Sequence, residues 1–465
     1  MTGVKKRLDF SLLPVIFALA WPTMLEQLLH TAVQYIDTIM VGSLGTDATA
    51  AVGSTTTVDW LFGSTISAVG VGFLAFISQA IGAKRHDDVK KASAQACFVV
   101  LVLGIFFTVV TLLLSPFVPQ WMQVDTSLRQ TASTYFFILY TPMLFRTASI
   151  IFGTVLRAAG DTKTPMRVGL IVNLINIVLN FIFIYPTRIL YINGFYLFIP
   201  GFDLGVIGAA IASAIAFFVG GVSIFVALLR HPVVSPRGQS IRPNISILKP
   251  CFKVAFPNAL QRFGTSFGYV VFASMVNALG PVATAAHTIA NTVESAFYVP
   301  GYGMQSASST LAGNAYGARD KERIKSLSLM IIFVEVILMI ISGGALFIFA
   351  PNLMSLFSAD LAVISLGAIV LRMVAVSEPF YGVSIVIEGM MNGMGKTVMP
   401  FIANIIGMWL IRILGTFIAT VVFDFGLIGA WACMILHNLL LFVMFLIYYL
   451  SGKFNPLNKK EKKAM

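Results

Sequence analysis

Residues 202–209 read FDLGVIGA and residues 423–430 read FDFGLIGA, an octapeptide repeated with two changes at a separation of 221. Working outward, the same relation continues upstream at a separation of 235. Pro22 falls on Pro257, Leu44-Gly45 on Leu279-Gly280, Gly82-Ala83 on Gly317-Ala318, and Pro116 on Pro351. Gly160, Thr162 and Pro165 fall on Gly395, Thr397 and Pro400. One offset held from Pro22 to Pro165 means an internal duplication, which has to be recognised before any motif is read. The halves are 1–230 and 249–452. A linker at 231–248, containing HPVVSPRGQSIRP, joins them, and a basic tail occupies 453–465.

Each half is built for lipid. Hydrophobic residues make up 58% of the chain and charged residues 11%, whereas soluble domains carry roughly 25% charged residues. Breaks at charged, Gly or Pro clusters leave twelve stretches long enough to span, each needing about 20 apolar residues. They lie near 12–40, 50–80, 93–114, 131–157, 165–187, 204–229, 250–278, 284–314, 327–349, 363–392, 400–422 and 427–450. The expected fold is therefore all-α: a polytopic membrane protein of twelve transmembrane helices in two pseudo-symmetric six-helix bundles. Six is even, so both halves enter from the same side. Such parallel repeats are a transporter architecture with the binding site between the repeats.

The basic residues orient the set. Lys5, Lys6 and Arg7 precede the first span. Lys84, Arg85, Lys90 and Lys91 follow the second, and Arg157, Lys163 and Arg167 the fourth. Arg230, Arg237, Arg242, Lys249 and Lys253 surround the linker. Arg319, Lys321, Arg323 and Lys325 follow the eighth span, and Lys396 the tenth. Lys453, Lys459, Lys460, Lys462 and Lys463 lie in the tail. All fall on one side, which the positive-inside rule makes cytoplasmic, with both termini there. The net charge of +12 is thus a topology signal and not a nucleic-acid patch. The basic N-terminus runs into an apolar stretch with no small-residue cleavage site, so it reads as a first span and not as a cleaved leader. Cys97, Cys251 and Cys433 form no CxxC pair and, with five scattered histidines, no metal spacing; they read as packing residues.

Ionisable groups inside a membrane are costly and therefore mark functional candidates. Glu26, His30, Gln34 and Asp37 recur at i, i+4, i+8 and i+11 in the first span, which places them on one helical stripe that must face protein or water, with Glu26, His30 and Gln34 as candidates for lining a substrate cavity. Asn173, Asn176 and Asn180 share a face of the fifth span. A carboxylate among amide oxygens suits a hard cation such as Na⁺. Burial also raises a carboxylate's affinity for H⁺, so either ion fits. The offset of 235 maps Glu26 to Gln261, Asp37 to Phe272 and Asn173 to Met408, so this cluster belongs to the first half alone. Asp59 and Glu294 do coincide across the repeat. They are candidates for lining a cavity that attracts cations, the alternative being a local partner such as Arg146 or Arg372. Glu378 and Glu388 are weaker candidates, and Glu378 could pair with a nearby arginine.

Several fragments then resemble the multidrug and toxic compound extrusion family: WPTMLEQ (21–27), IDTIMVGSLGTDATAAVG (36–53), SQAIGAK (78–84), RAAGDTKTP (157–165), AAHTIANTVESAFYVPGYG (285–303) and TLAGNAYGA (310–318). The resemblance runs in order over essentially the whole chain. It implies twelve spans in two lobes and a bacterial efflux antiporter, NorM-like or DinF-like, that expels organic cations or other amphipathic compounds in exchange for H⁺ or Na⁺. In the terms of that family, Asp37 looks like the coupling aspartate and Pro22 like the proline at which the helix bends. Asn176, Asn180 and Ser213 look like its partners, so Asp37, Asn176 and Asn180 are where Na⁺ would bind. Some relatives have an aspartate where Asn180 stands, which leaves this chain one carboxylate in the cluster. Thr265 and Tyr381 stand where other members carry second-lobe acids, so a coupling site of that kind is not expected here.

The resemblance further implies a monomer in the bacterial inner membrane, small-molecule substrates, no cofactor and no enzymatic activity. Other readings fit less well. The loop GAKRHDDVKK (82–91) lacks the major facilitator signature, and the acidic stripe disfavours a flippase for anionic lipid-linked saccharides. AAGD (158–161), the nearest match to an intramembrane protease motif, falls in a basic loop.

Overall fold

The computed structural model describes residues 8–122, 124–192 and 195–458. Lys5, Lys6 and Arg7 at the start of the charge pattern, and Lys459, Lys460, Lys462 and Lys463 of the tail, lie outside the described residues. Twelve helical spans follow in order: α1 Leu13–Gly42, α2 Thr46–Gly82, α3 His86–Leu114, α4 Arg129–Tyr140 continued by Met143–Ala158, α5 Lys163–Phe183, α6 Gly205–Arg230, α7 Ile245–Asn277, α8 Pro281–Gly317, α9 Lys321–Ser355, α10 Leu361–Gly393, α11 Val398–Val422 and α12 Gly426–Leu450. Nine pass a strict test of length and apolarity, and α4 is a tenth, bent by 47° at its break. The break falls at Thr141-Pro142, where proline removes a backbone donor. The two remaining helices, α7 with Lys249, Lys253 and Arg262 and α8 with His287 and Glu294, are more polar.

The backbone reproduces the repeat. Left-handed φ values occur at Gly45 and Gly280, at Lys84 and Arg319, and at Gly160 and Gly395, each pair 235 apart. They occur again at Asp203 and Asp424 and at Gly205 and Gly426, each pair 221 apart. Side chains with a Cβ rarely adopt this region, so the coincidence marks corresponding turns between corresponding helices. The offset drops by 14 (235 − 221) because the first half carries an element the sequence reading did not foresee. Strands β1 Pro186–Ile192 and β2 Phe195–Phe202 form an antiparallel hairpin between α5 and α6, in register at Arg188/Ile199 and Ile192/Phe195. It occupies the connection that the sequence reading left between the spans at 165–187 and 204–229.

The chain divides into two compact units. One comprises Met1–Gln27, Leu74–His86 and Pro250–Met465; the other Leu28–Phe73 and Asp87–Lys249. In the first, Ile16, Leu19 and Ala20 of α1 pack with Met304, Ala307 and Leu311 of α8 and with Val383, Val386 and Met390 of α10. Also within it, the end of α2 crosses α8 through small residues. Ser78 and Gly82 are four apart, as are Gly313 and Gly317. A Cβ on Gly82 would collide with the Asn314 carbonyl, and one on Gly317 with the Gln79 carbonyl. Gln79 and Asn314 are themselves 235 apart, so the crossing is its own image under the repeat. Gln79 Nε2 fastens it to α10 by donating to the Gly393 carbonyl at 2.9 Å. In lipid, where apolar burial drives little helix association, such close backbone approach is what holds helices together.

Forcing a side chain into this crossing costs about 1–3 kcal/mol, the usual penalty of overpacking. Gly317→Leu is therefore expected to lower the thermal unfolding midpoint in detergent by several degrees, whereas Gly344→Ala, with nothing near its Cβ, leaves it unchanged. Equal midpoints for the two variants would contradict the packing described.

Candidate cation-binding site

Asp37 lies in the last third of α1. Opposite it, α5 presents Asn176 and Asn180 one turn apart, and both are buried. Asn180 Nδ2 donates to Asp37 Oδ1 at 2.7 Å and to Asn176 Oδ1 at 3.2 Å. Asn176 reaches Ser213 Oγ on α6 at 3.1 Å. With its amide turned over, Asn176 donates to Asp37 Oδ1 at 2.9 Å and accepts from the Ser213 hydroxyl, so it stays in the cluster in both orientations. The turned orientation satisfies more groups. Three helices of one unit thus bring together four of the residues expected from sequence: Asp37, Asn176, Asn180 and Ser213.

One atom of the cluster is left over. Asn180 Oδ1 is buried and has no hydrogen-bond partner among the described residues, although buried amide oxygens are normally satisfied. An unmet oxygen beside a carboxylate is a donor set for a hard, oxygen-seeking cation. Protonation of Asp37 would equally supply the missing charge balance. No group of three or more His, Cys, Asp or Glu that could hold a metal ion occurs among the described residues.

The other expected residues are placed differently. Asn173 is half-buried, and no hydrogen bond joins it to the cluster among the described residues. His30 and Gln34 are exposed along α1, and Glu26, half-buried, belongs to the other unit. Pro22 lies within α1, which continues through it. Asp59 has the local partner foreseen as the alternative to cavity lining. Arg146 Nη2 donates to its Oδ2 at 2.7 Å, Arg146 Nη1 also pairs with its Oδ1, and the Tyr140 hydroxyl donates at 3.0 Å. The same guanidinium stacks on Phe217, 4.9 Å from the ring centre.

Glu294, the residue matching Asp59 in the repeat, makes no such bidentate arginine pair among the described residues; Arg412 of α11 acts on it electrostatically. Arg412 was not picked out from the sequence, although an arginine inside WLIRILG is a strong signal in a span. It is 3% exposed, sits in a π-helical turn, Gly407–Ile413, and lies 4.5 Å from the ring of Phe272 and 4.7 Å from that of Tyr269. Phe272 is the residue that replaces Asp37 across the repeat. Where one half holds a carboxylate, the other holds a phenyl ring under a cation. Glu388 is also better placed than expected, accepting from Gln261 Nε2 at 2.9 Å and Asn404 Nδ2 at 3.1 Å.

Comparison with known proteins places this geometry in a family. The MatE family model matches residues 22–182 and 257–418, two segments whose starts are 235 apart. A "Probable multidrug resistance protein NorM" of Thermotoga maritima is 27% identical over 447 residues, covering 96% of this chain and 93% of that one. A "Probable multidrug resistance protein YoeA" of Bacillus subtilis is 25% identical over 88% of this chain and 87% of its own length. Among solved structures, MATE in complex with MaL6 superposes with a TM-score of 0.86 at 24% identity, covering 96% of this chain and 97% of that one; at that identity it speaks for the fold.

Removing one partner of a partly buried ion pair strands the other charge. Arg146→Gln is expected to destabilise the protein by about 2 kcal/mol, and Asp59→Asn added to it to restore part of the loss, since coupled residues are not additive. Chemical denaturation of the single and double variants checks this; strict additivity would contradict the pairing.

Proposed function

The chain belongs to the MatE family, and from that membership we propose that it is a multidrug efflux antiporter that expels organic cations or other amphipathic compounds in exchange for H⁺ or Na⁺. The observation that carries the reading is the Asp37 cluster: one carboxylate, two buried amides and a hydroxyl, with the Asn180 oxygen unmet. A site of this composition binds a small cation when Asp37 is ionised and none when it is neutralised. That is what an exchanger needs in order to couple an ion to a conformational change.

The proposed cycle uses this chain's residues in order. With the site open outward, Asp37 takes up H⁺ or Na⁺, and Asn176 and Asn180 reorient their amides to the new charge state. The altered hydrogen bonding changes the course of α1, for which Pro22 supplies the weak point by lacking a backbone donor. The exported molecule leaves; the site then reopens inward, releases the ion and admits a new substrate. The positive-inside pattern supports a bacterial inner-membrane location with both termini in the cytoplasm. The working unit is a monomer, since each chain carries both halves.

The test uses proteoliposomes and tetraphenylphosphonium as substrate. Asp37→Asn is expected to keep downhill equilibration of the cation but to lose uphill accumulation driven by an imposed proton or sodium gradient, with at least a tenfold fall in the initial driven rate. Undiminished accumulation by a variant present at normal amount would overturn the reading.

A further inference from the structure

The unit holding α8, α9 and α10 contains acidic side chains that the Asp37 site does not use. Glu335 of α9 is fully buried, and both its carboxyl oxygens lack a hydrogen-bond partner among the described residues. Glu378 of α10 is 1% exposed, and its Oε2 is likewise unmet. By contrast Glu388, on the same helix, receives two amide donors. The carboxyl group of Glu335 is seated between glycines of the two neighbouring helices. A Cβ on Gly382 of α10 would lie 2.8 Å from Glu335 Oε1, and one on Gly301 of α8 would lie 2.9 Å from it. Met339 and Ile385 supply the other contacts of that slot. The sequence has kept side chains off two helices where this carboxyl group points.

The charges around the pair do not compensate it. Glu294 of α8 and Glu335 both lie within electrostatic reach of Glu378, and Tyr298 of α8 lies within reach of Glu294 and Glu378. Arg412 of α11 acts electrostatically on Glu294, on His287 of α8 and on His437 of α12. No arginine or lysine pairs with Glu335 or Glu378 among the described residues, so the arginine pairing weighed for Glu378 from sequence is not found there. Burying an ionised carboxylate without a partner costs far more than any single interaction can return, and the group neutralises instead. Gly382, against which the Glu335 carboxyl rests, is one turn from Glu378 on α10, and two neighbouring acids repel each other and titrate as a pair. A metal cation would need several oxygen ligands, whereas this slot offers glycine backbone, a thioether and an aliphatic side chain.

We propose that Glu335 and Glu378 form a second, proton-binding site in the C-terminal half, separate from the Asp37 cluster and specific for H⁺. The pair holds at least one proton at rest and gives it up when the surrounding helices part during the transport cycle. Only the last clause rests on the antiport reading; the proton-bound rest state does not.

Infrared difference spectroscopy of the full-length protein in lipid tests it, because a protonated carboxylic acid has a carbonyl stretch that a carboxylate lacks. The wild-type spectrum at neutral pH minus that of Glu335→Gln, and minus that of Glu378→Gln, is expected to show this band, which Asp37→Asn retains. Adding tetraphenylphosphonium is expected to change the band in wild type and to have no such effect in the Glu335→Gln/Glu378→Gln double variant. Glutamine imitates the neutral acid in size, and Glu378→Gln alone serves if the double variant does not fold. Absence of the band from both difference spectra would mean ionised carboxylates and would overturn the proposal. A band that never responds to substrate or to pH would mean a purely structural acid and would overturn it as well. Loss of transport coupling in Asp37→Asn with this band intact would concern the first site only.

Discussion

A carboxylate within a bilayer has to be hydrogen-bonded, ion-paired or protonated, and the arrangement of this protein follows from how its few acids meet that requirement. Asp37 is hydrogen-bonded by amides of α5. Asp59 is paired with Arg146 and Tyr140. Glu388 takes amide donors from α7 and α11. Each solution fixes helices of one unit against each other, because the partners come from different spans. Each also differs in how easily it changes. A bidentate guanidinium pair is held by charge and geometry together, so Asp59 reads as a clamp. Two neutral amides can turn over and accommodate either state of Asp37, so that cluster can respond to an ion without unfolding its surroundings.

The duplication explains why one cluster of this kind exists and not two. The two halves share their turns down to the left-handed residues, as Lys84 and Arg319 or Asp203 and Asp424 show. Their interiors have diverged. Position 37 in the first half corresponds to Phe272 in the second, and Arg412 occupies the neighbouring helix there. Twofold architecture supplies equivalent frames, and asymmetric residues give them different charges. A symmetric pair of ion sites would load two cations per cycle; an asymmetric pair permits one half to carry the ion and the other to respond differently.

Much of this could be read from the sequence. The spans, their number and the repeat followed from apolar length and a constant offset, because in lipid the backbone must satisfy itself and nearly every long apolar stretch becomes a helix. The partnership of Asp37 with Asn176 and Asn180 followed from helical spacing, joined to a family resemblance that also supplied Ser213. What escaped has physical reasons. The β-hairpin lies in a short connection between two spans, where a search for long apolar stretches does not look for strands. The Asp59–Arg146 pair joins α2 to α4, and from sequence it was one of two readings, because composition does not fix which arginine of which span comes within reach. The burial of Glu335 against two glycines depends on helix rotation, to which a single sequence gives no access.

In the proposed cycle, uptake of the coupling cation at Asp37 drives release of the exported compound. Equilibrium binding of tetraphenylphosphonium to the purified protein, measured over a range of pH and again over a range of Na⁺, tests it most directly, because coupling between two ligands is reciprocal. In wild type, raising one of the two ions should weaken substrate binding, and the Asp37→Asn variant should bind substrate with an affinity independent of that ion. Equal ion dependence in wild type and variant would contradict the claim.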